Sequence, residues 1–189
     1  MASAARNLIS ILLEKKSAII TKWFNLSLEI YPPETVRNLK NINQQFNNPV
    51  GHTFYHAMEG IFEQLLQETA SEKVALYLDK ILRIKAVQDI NPSQVVSFVF
   101  QLKRIVREEL GDVTFSNRAL MQEFLDFELK IDDLSMVAFG IYTDCREKIC
   151  QLRLAEVKKK NEILERISLL NGHHYQTFDE QEGVGDDLK

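Results

Sequence analysis

Four side chains that can bind a metal recur at helical spacing in the first half of the sequence. They are His52, His56, Glu59 and Glu63, separated by four, three and four positions. On a helix this spacing places two imidazoles and two carboxylates on one face, where they could ligate a metal such as zinc. Metal-dependent chemistry is therefore the first hypothesis to weigh against the rest of the sequence.

The details of this segment argue against a metal site. A zinc protease helix needs a glutamate directly after the first histidine as general base, and Thr53 stands there. Di-iron bundles use a glutamate followed three residues later by a histidine, and here the order is reversed. On a helical wheel the apolar side chains lie on the opposite side, namely Phe54, Met58, Ile61 and Leu65. We therefore expect the histidines to face solvent or a partner and to bind no metal.

Haem binding and nucleophilic catalysis have little support in the sequence. A haem site needs an axial ligand aimed into an apolar pocket, and His52 and His56 lie opposite the apolar stripe. Cys145 and Cys150 have no histidine near them in sequence, so we interpret them as reduced thiols that pack as small apolar side chains. No glycine-rich phosphate-binding loop occurs. We predict no catalytic residue and no cofactor, and retain a metal-dependent or haem-dependent sensor as the less favoured alternative.

Composition restricts the compartment and the partners. The 189 residues carry a net charge of −4, and this argues against a nucleic-acid surface, which needs a concentrated positive field. The apolar run from Leu8 to Leu13 is followed at once by Glu14, Lys15 and Lys16, unlike a signal peptide. No stretch of about 18 apolar residues runs without a charge. We expect a cytoplasmic protein without a membrane span.

The elements that position these residues are predicted to be helices. Apolar residues recur at three and four, and glycines and prolines fall mostly between such stretches, so we expect an all-α, single-domain bundle. The continuous pattern from 116 to 170 would form a rod of roughly 80 Å, and we place a break at Asp132, Asp133 and Ser135, which are good caps. The predicted helices span residues 4–30, a short segment from Pro33, 49–67, 71–88, 92–111, and two more divided at the break.

The final helix, predicted from Leu134 to Asn171, carries the strongest functional signal. Its length suggests that it leaves the domain or pairs with a second copy, although packing along its own bundle is the equal alternative. Gly172 is expected to end it, and residues 172–189 to form a disordered acidic tail after the helical domain 1–171. The candidate interface is an apolar strip formed by Ile141, Cys145, Ile149, Leu152, Ile163, Ile167 and Leu170.

Three stretches carry a family resemblance. They are ITKWFNLSLEIYPPETV from Ile20, NNPVGHTFYHAMEGIFEQLL from Asn47, and LDKILRIKAVQDINPSQVVSFVFQLKRIVREEL from Leu78. Together they resemble the N-terminal domain of the RsbRD-type RsbT co-antagonists, over roughly residues 8 to 150. The most specific part is Arg-x-Lys-Ala-Val-Gln-Asp, residues 83–89, followed by Asn-Pro-Ser-Gln at 91–94.

The resemblance implies a helical input domain, related in role to the non-haem globin domains of stress-signalling complexes. Such domains are thought to dimerise and to signal through a C-terminal linker helix to an output domain, often of the STAS type. No STAS domain follows Leu170, so we expect a stand-alone form that acts on a separate signalling partner, and we carry over no phosphorylation chemistry. A structural or assembly protein without a ligand remains the alternative function.

Overall fold

The computed structural model describes residues 7–42, 46–67, 72–115 and 117–179. These ranges contain seven helices and no strand, which confirms the predicted all-α class and the long C-terminal helix. In chain order they are α1 (Leu8–Glu14), α2 (Lys16–Ser27), α3 (Pro33–Leu39), α4 (Pro49–Leu65), α5 (Glu72–Val87), α6 (Pro92–Phe115) and α7 (Arg118–Asp179).

The chain forms two compact units, Met1–Arg146 and Glu147–Lys189. The first unit is a helical bundle built from α1 to α6 and the first part of α7. The second unit contains the remainder of α7. Among the helices that the structure describes, none combines the length and the apolar character needed to cross a membrane.

Local capping explains where two of the helices begin. The Asn48 side-chain oxygen accepts a hydrogen bond from the Gly51 amide at 2.9 Å, and Pro49 occupies the first turn. The Asn48 amide group also donates to the carbonyls of Asn38 and Leu39, which joins the end of α3 to the start of α4. At the start of α6 the Asn91 side chain accepts from the Ser93 amide at 3.1 Å. Both helices begin where the sequence predicted them to begin, at Pro49 and Pro92.

The centre of the bundle is the contact between α2 and α6. The Trp23 and Phe98 rings stack with their centroids 5.9 Å apart, and the indole N–H of Trp23 donates to the Phe98 carbonyl at 2.6 Å. Phe98 and Leu102 are both buried. Phe100 on the same helix is 46% exposed. One face of α6 meets solvent.

Helix α4 packs closely against α5 at a glycine. A Cβ atom added to Gly60 would lie 2.5 Å from the ring of Tyr77, so the absent side chain is what admits this ring. At Gly111, inside α6, φ is +65°, a conformation that glycine adopts without strain. This break in α6 falls where the sequence predicted the end of the helix.

Two predicted helix boundaries are wrong. The helix expected over 4–30 is divided at Lys15, whose backbone departs from the helical region, and α2 ends at Ser27. Helix α7 runs without a break through Asp132, Asp133 and Ser135. The Ser135 hydroxyl donates to the Ile131 carbonyl at 2.8 Å instead of capping a new helix.

Buried side chains continue across the predicted break at helical spacing, and this explains why α7 does not stop there. Ile131, Leu134, Ala138 and Tyr142 are all buried on one face. Asp132 pairs with Lys103 of α6 at 2.7 Å. The helix also passes Gly172 and ends at Asp179. Residues 180–189 lie outside the described ranges, and a disordered tail after residue 171 stays a prediction.

Candidate functional site

The end of α5 and the loop before α6 contact α7 through two of its side chains. The Arg146 guanidinium donates to the Ala86 carbonyl at 3.3 Å and forms an ion pair with Asp89. The Tyr142 hydroxyl donates to the Ile90 carbonyl. Because residues 142 and 146 lie one helical turn apart, both can hold the same loop from one face of α7.

The backbone of this loop has an unusual conformation at Asp89. Its φ is +60°, and no other non-glycine residue in the described ranges has a positive φ. The Ile90 amide donates to the Lys85 carbonyl and the Asp89 amide to the Ala86 carbonyl, both at 3.3 Å. These are the two bonds of a Schellman helix end, in which glycine usually takes the left-handed position. An aspartate there costs about 1 kcal/mol of backbone strain but supplies the carboxylate that Arg146 meets.

The side chain of Lys85 enters the core from the same end of α5. Only 1% of this residue is exposed, and its ammonium nitrogen lies 5.3 Å from the ring centroid of Phe54 and 5.6 Å from those of Tyr31 and Phe98. We call this arrangement the Lys85 cage. In the described part of the chain no carboxylate forms an ion pair with this ammonium, and burial is the cause of its pKa shift. The pKa of Lys85 is lowered to about 8.

Tyr31 covers the Lys85 cage from the segment between α2 and α3. Its hydroxyl donates to the side-chain oxygen of Gln88 at 2.7 Å, and burial raises the pKa of this phenol to about 12. The three aromatic faces favour the charged ammonium by cation–π attraction, which offsets part of the cost of removing it from water. The remaining cost is an unfavourable contribution to the folding free energy of the bundle.

One short segment therefore joins the Lys85 cage to α7. Within residues 85–90, Lys85 lies in the cage, Gln88 holds Tyr31, and Asp89 and Ile90 bind Arg146 and Tyr142. This arrangement places both sets of contacts within six consecutive residues. It contains no nucleophile with a neighbouring base. We call residues 85–90 with Tyr142 and Arg146 the coupling loop.

The coupling loop was not predicted as a functional site from the sequence, although the motif that contains most of it was singled out there. Residues 83–89 form the most specific part of the family resemblance, Arg-x-Lys-Ala-Val-Gln-Asp. The sequence could not show that these residues meet Tyr142 and Arg146, which stand more than 50 positions further along the chain. The signal that could have found the site is a lysine on a core-facing position of α5.

The histidine and glutamate face of α4 is used for ion pairs with α2. Lys16 lies 3.0 Å from Glu59 and also pairs with Glu63, and the hydrogen bond to Lys16 lowers the pKa of Glu59. The His56 ring nitrogen lies 3.2 Å from Glu59, and the rings of His52 and His56 are 4.3 Å apart. His56 is exposed, on the side away from the core, as the helical wheel predicted. Within the described ranges, no histidine, cysteine and carboxylate cluster has the geometry of a metal site.

The predicted interface strip differs in exposure along its length. Ile141, Cys145 and Ile149 are half-buried. Leu152 is 71% exposed, Ile163 47% and Ile167 48%. The side chain of Leu170 lies outside the described part. Every residue from 151 to 169 is exposed, so the second unit presents apolar side chains to solvent.

A surface cavity of about 220 Å³ lies in the bundle, between the start of α1, the end of α4 and α7. Two of its polar groups already serve helix ends, since Glu123 accepts from the Leu8 amide at 2.6 Å and Lys130 donates to the Gln67 carbonyl at 2.9 Å. These two side chains of the cavity are therefore already paired with backbone groups, and the coupling loop is the better candidate site.

Comparison with known proteins identifies the class to which this fold and site belong. Residues 18–157 match the family model described as the RsbT co-antagonist protein rsbRD N-terminal domain. The match covers more than half of the chain, and the chain belongs to this family. Neither the curated proteins nor the solved structures contain a match.

Proposed function

We propose that this chain is a non-catalytic, cytoplasmic input module of a signalling pathway that involves RsbT. In this proposal the bundle receives a signal and α7 passes it to a separate protein partner. One observation carries the proposal: the coupling loop is bound to α7 at Tyr142 and Arg146, directly before the exposed second unit. The family membership supports the pathway.

The Lys85 cage favours an input module over a purely structural protein. A buried ammonium without a counter-ion reduces the stability of the fold, and replacing such a group with an apolar side chain is often stabilising. A protein whose only task is assembly gains nothing from this cost. A sensor can use it, because the cost favours any second state in which the ammonium is less buried.

The exposed apolar residues of α7 support the protein-binding part of the proposal. Leu152, Ile163 and Ile167 lie on one face of the second unit, together with the half-buried Ile149. Exposed apolar patches of this kind commonly mark interaction sites. We propose that this face forms a homodimer and that the partner binds the second unit of that dimer.

The proposed function is tested by measuring the affinity of the full chain for RsbT from the same genome by calorimetry. We expect binding by the wild type, weakened at least tenfold by Ile163→Glu with Ile167→Glu, because two charges would enter an apolar contact. Leu154→Glu with Asn161→Glu, which also introduces two charges but on the opposite face of the same helix, tests whether any double substitution has this effect. An RsbT that does not bind the wild-type chain would overturn the pathway assignment.

A second measurement tests transmission through the coupling loop. A metabolite library is screened for compounds that raise the melting temperature of the bundle, and each hit is added to the RsbT titration. If a compound is the signal, its binding must change the affinity of the chain for RsbT, because coupling between two binding sites is reciprocal. We expect Arg146→Met to keep the melting shift and to lose the change in affinity. If the change in affinity survives in Arg146→Met, the signal does not pass through this contact.

A further inference from the structure

We propose that residues 149–166 of α7 pair with the same residues of a second copy in antiparallel orientation, about a two-fold axis that crosses between residues 157 and 158. The inference rests on the dimer proposed above and specifies its geometry. The structure describes this whole segment as one continuous helix, and all of it lies in the second unit.

Six side chains of this segment recur at alternating spacings of three and four and so form one seam of the helix. They are Ile149, Leu152, Glu156, Lys159, Ile163 and Arg166. Apart from the half-buried Ile149 they are exposed. Three of the six are apolar, namely Ile149, Leu152 and Ile163. Glu156 is negative, and Lys159 and Arg166 are positive.

A parallel pair would bring each seam residue against its own copy. Glu156 would then face a second Glu156, and Lys159 a second Lys159. Arg166 would face a second Arg166. Each pair of facing residues forms one layer of the seam. Like charges that face each other in a partly desolvated layer repel, so three of the six layers would oppose association.

An antiparallel pair avoids every like-charge layer of the seam. With the axis between residues 157 and 158, Leu152 faces Ile163 of the second copy, and Glu156 faces Lys159. Ile149 then meets the aliphatic stem of Arg166, which can direct its guanidinium to solvent. Each layer occurs twice because of the two-fold symmetry, so the same placement satisfies both copies.

The contact that Glu156 already makes does not prevent this pairing. Its carboxylate lies 2.9 Å from Lys160 in the same helix, and both side chains are well exposed. An exposed pair of this kind contributes only a few tenths of a kcal/mol. The Glu156 carboxylate can therefore turn toward Lys159 of the second copy without a large loss.

The orientation is tested by cross-linking in the full chain, after Cys145→Ala and Cys150→Ser remove the native thiols. Leu152→Cys and Ile163→Cys proteins are treated with a short bismaleimide, first separately and then as a mixture. We expect a covalent dimer mainly in the mixture, because residues 152 of the two copies would lie about 16 Å apart along the axis, at 1.5 Å per residue. Leu154→Cys mixed with Asn161→Cys, placed on the opposite helix face, is the matched control and should not cross-link.

A charge exchange provides a second, independent test. Glu156→Lys should weaken an antiparallel dimer by about tenfold, since two like-charge layers appear. Adding Lys159→Glu should restore the affinity. In a parallel dimer, where each residue faces its own copy, neither the weakening nor the rescue is expected. Circular dichroism checks that the helix persists in both variants.

The outcomes separate this inference from the function on which it rests. Cross-links within Leu152→Cys alone would overturn the antiparallel geometry and leave the dimer. A monomeric mass by light scattering at about 100 μM, where even weak pairing is populated, would overturn the dimer itself. Binding of RsbT is measured separately, so a monomeric chain that still binds RsbT would overturn the dimer and keep the pathway assignment. Cross-links confined to the mixture, with rescue by the charge exchange, support the inference.

Discussion

The carboxylate of Asp89 forms an ion pair with the guanidinium of Arg146, and through this pair a strained loop of the bundle is attached to α7. The Asp89 side chain is 62% exposed and that of Arg146 35%, so the pair itself contributes at most about 1 kcal/mol to stability. What distinguishes this ion pair is its place in the chain, not its energy. The last residue of the first compact unit is Arg146, and the contact therefore lies where the second unit begins.

Replacing Asp89 with glycine should relieve the backbone strain at this position and at the same time remove the ion pair with Arg146. Glycine relieves about 1 kcal/mol of backbone strain at φ +60°, and the lost ion pair costs a similar amount. We therefore expect Asp89→Gly to change the free energy of unfolding by less than about 1 kcal/mol in urea titrations. In a double-mutant cycle with Arg146→Met, the coupling energy should be about 0.5–1 kcal/mol. Asp89→Asn, which tolerates the same φ without the charge, is the control, and a loss of several kcal/mol in Asp89→Gly would contradict this account.

Replacing Phe98 with alanine should damage the core severely. Phe98 is buried against Trp23 and forms one wall of the Lys85 cage. Truncation removes this burial and leaves a cavity, so the free energy of unfolding should fall by about 3–5 kcal/mol. Phe100→Ala, two positions further along the same helix and partly exposed, should cost under about 1 kcal/mol. Equal losses in the two variants would show that α6 is not placed as described.

The histidine and glutamate face of α4 should bind no stoichiometric metal. The carboxylates of Glu59 and Glu63 both pair with the ammonium of Lys16, and a metal would have to displace this one ammonium from both of them. Metal analysis of protein purified without a histidine tag should find substoichiometric transition metal, and the absorption spectrum should lack a haem Soret band. One bound metal per chain that disappears in His52→Ala with His56→Ala would contradict this expectation.

Sequence patterns predicted the helices where local signals decide the structure. The predicted ranges 49–67 and 92–111 begin at Pro49 and Pro92, where an asparagine precedes the proline in each case. The break at Asp132 to Ser135 was wrong because capping residues can also be accommodated inside a helix, as the bond from Ser135 to Ile131 shows. A residue type indicates that a cap is available. It does not show that a cap is used.

The candidate site could not be predicted because it depends on tertiary packing. The rings around Lys85 come from α4, α6 and the segment after α2, and no periodic pattern links them. Periodicity places Lys85 near the core face of α5 but gives no partner for its charge. The apolar strip of α7 was visible in the sequence, and its role as an interface stays a prediction.

Removing the ammonium of Lys85 should stabilise the bundle and change how its stability depends on pH. The pKa of Lys85 is about 8 in the folded state against 10.5 for an ordinary lysine. Below pH 8 both states are protonated, and the cost of the buried charge is present in full. Between pH 8 and 10.5 the unfolded state binds more protons than the folded state, so the free energy of unfolding rises with pH. We expect Lys85→Met to be more stable than the wild type at pH 7, because methionine fills the same space without a charge.

The difference between Lys85→Met and the wild type should shrink as pH rises. From pH 8 to pH 9.5 the wild type should gain about 1.6 kcal/mol relative to the variant, because the slope rises from about half of 1.4 kcal/mol per pH unit at pH 8 toward that full value. Measurements stop below pH 10, because ionisation of tyrosines in the unfolded state then acts in the opposite direction: the pKa of Tyr31 is raised to about 12. Lys80→Met is the matched control, an exposed lysine of the same helix that lies over a single ring, that of Tyr77. Its stability difference from the wild type should not depend on pH in this range. A constant difference for Lys85→Met as well would mean that the ammonium is not held in the cage.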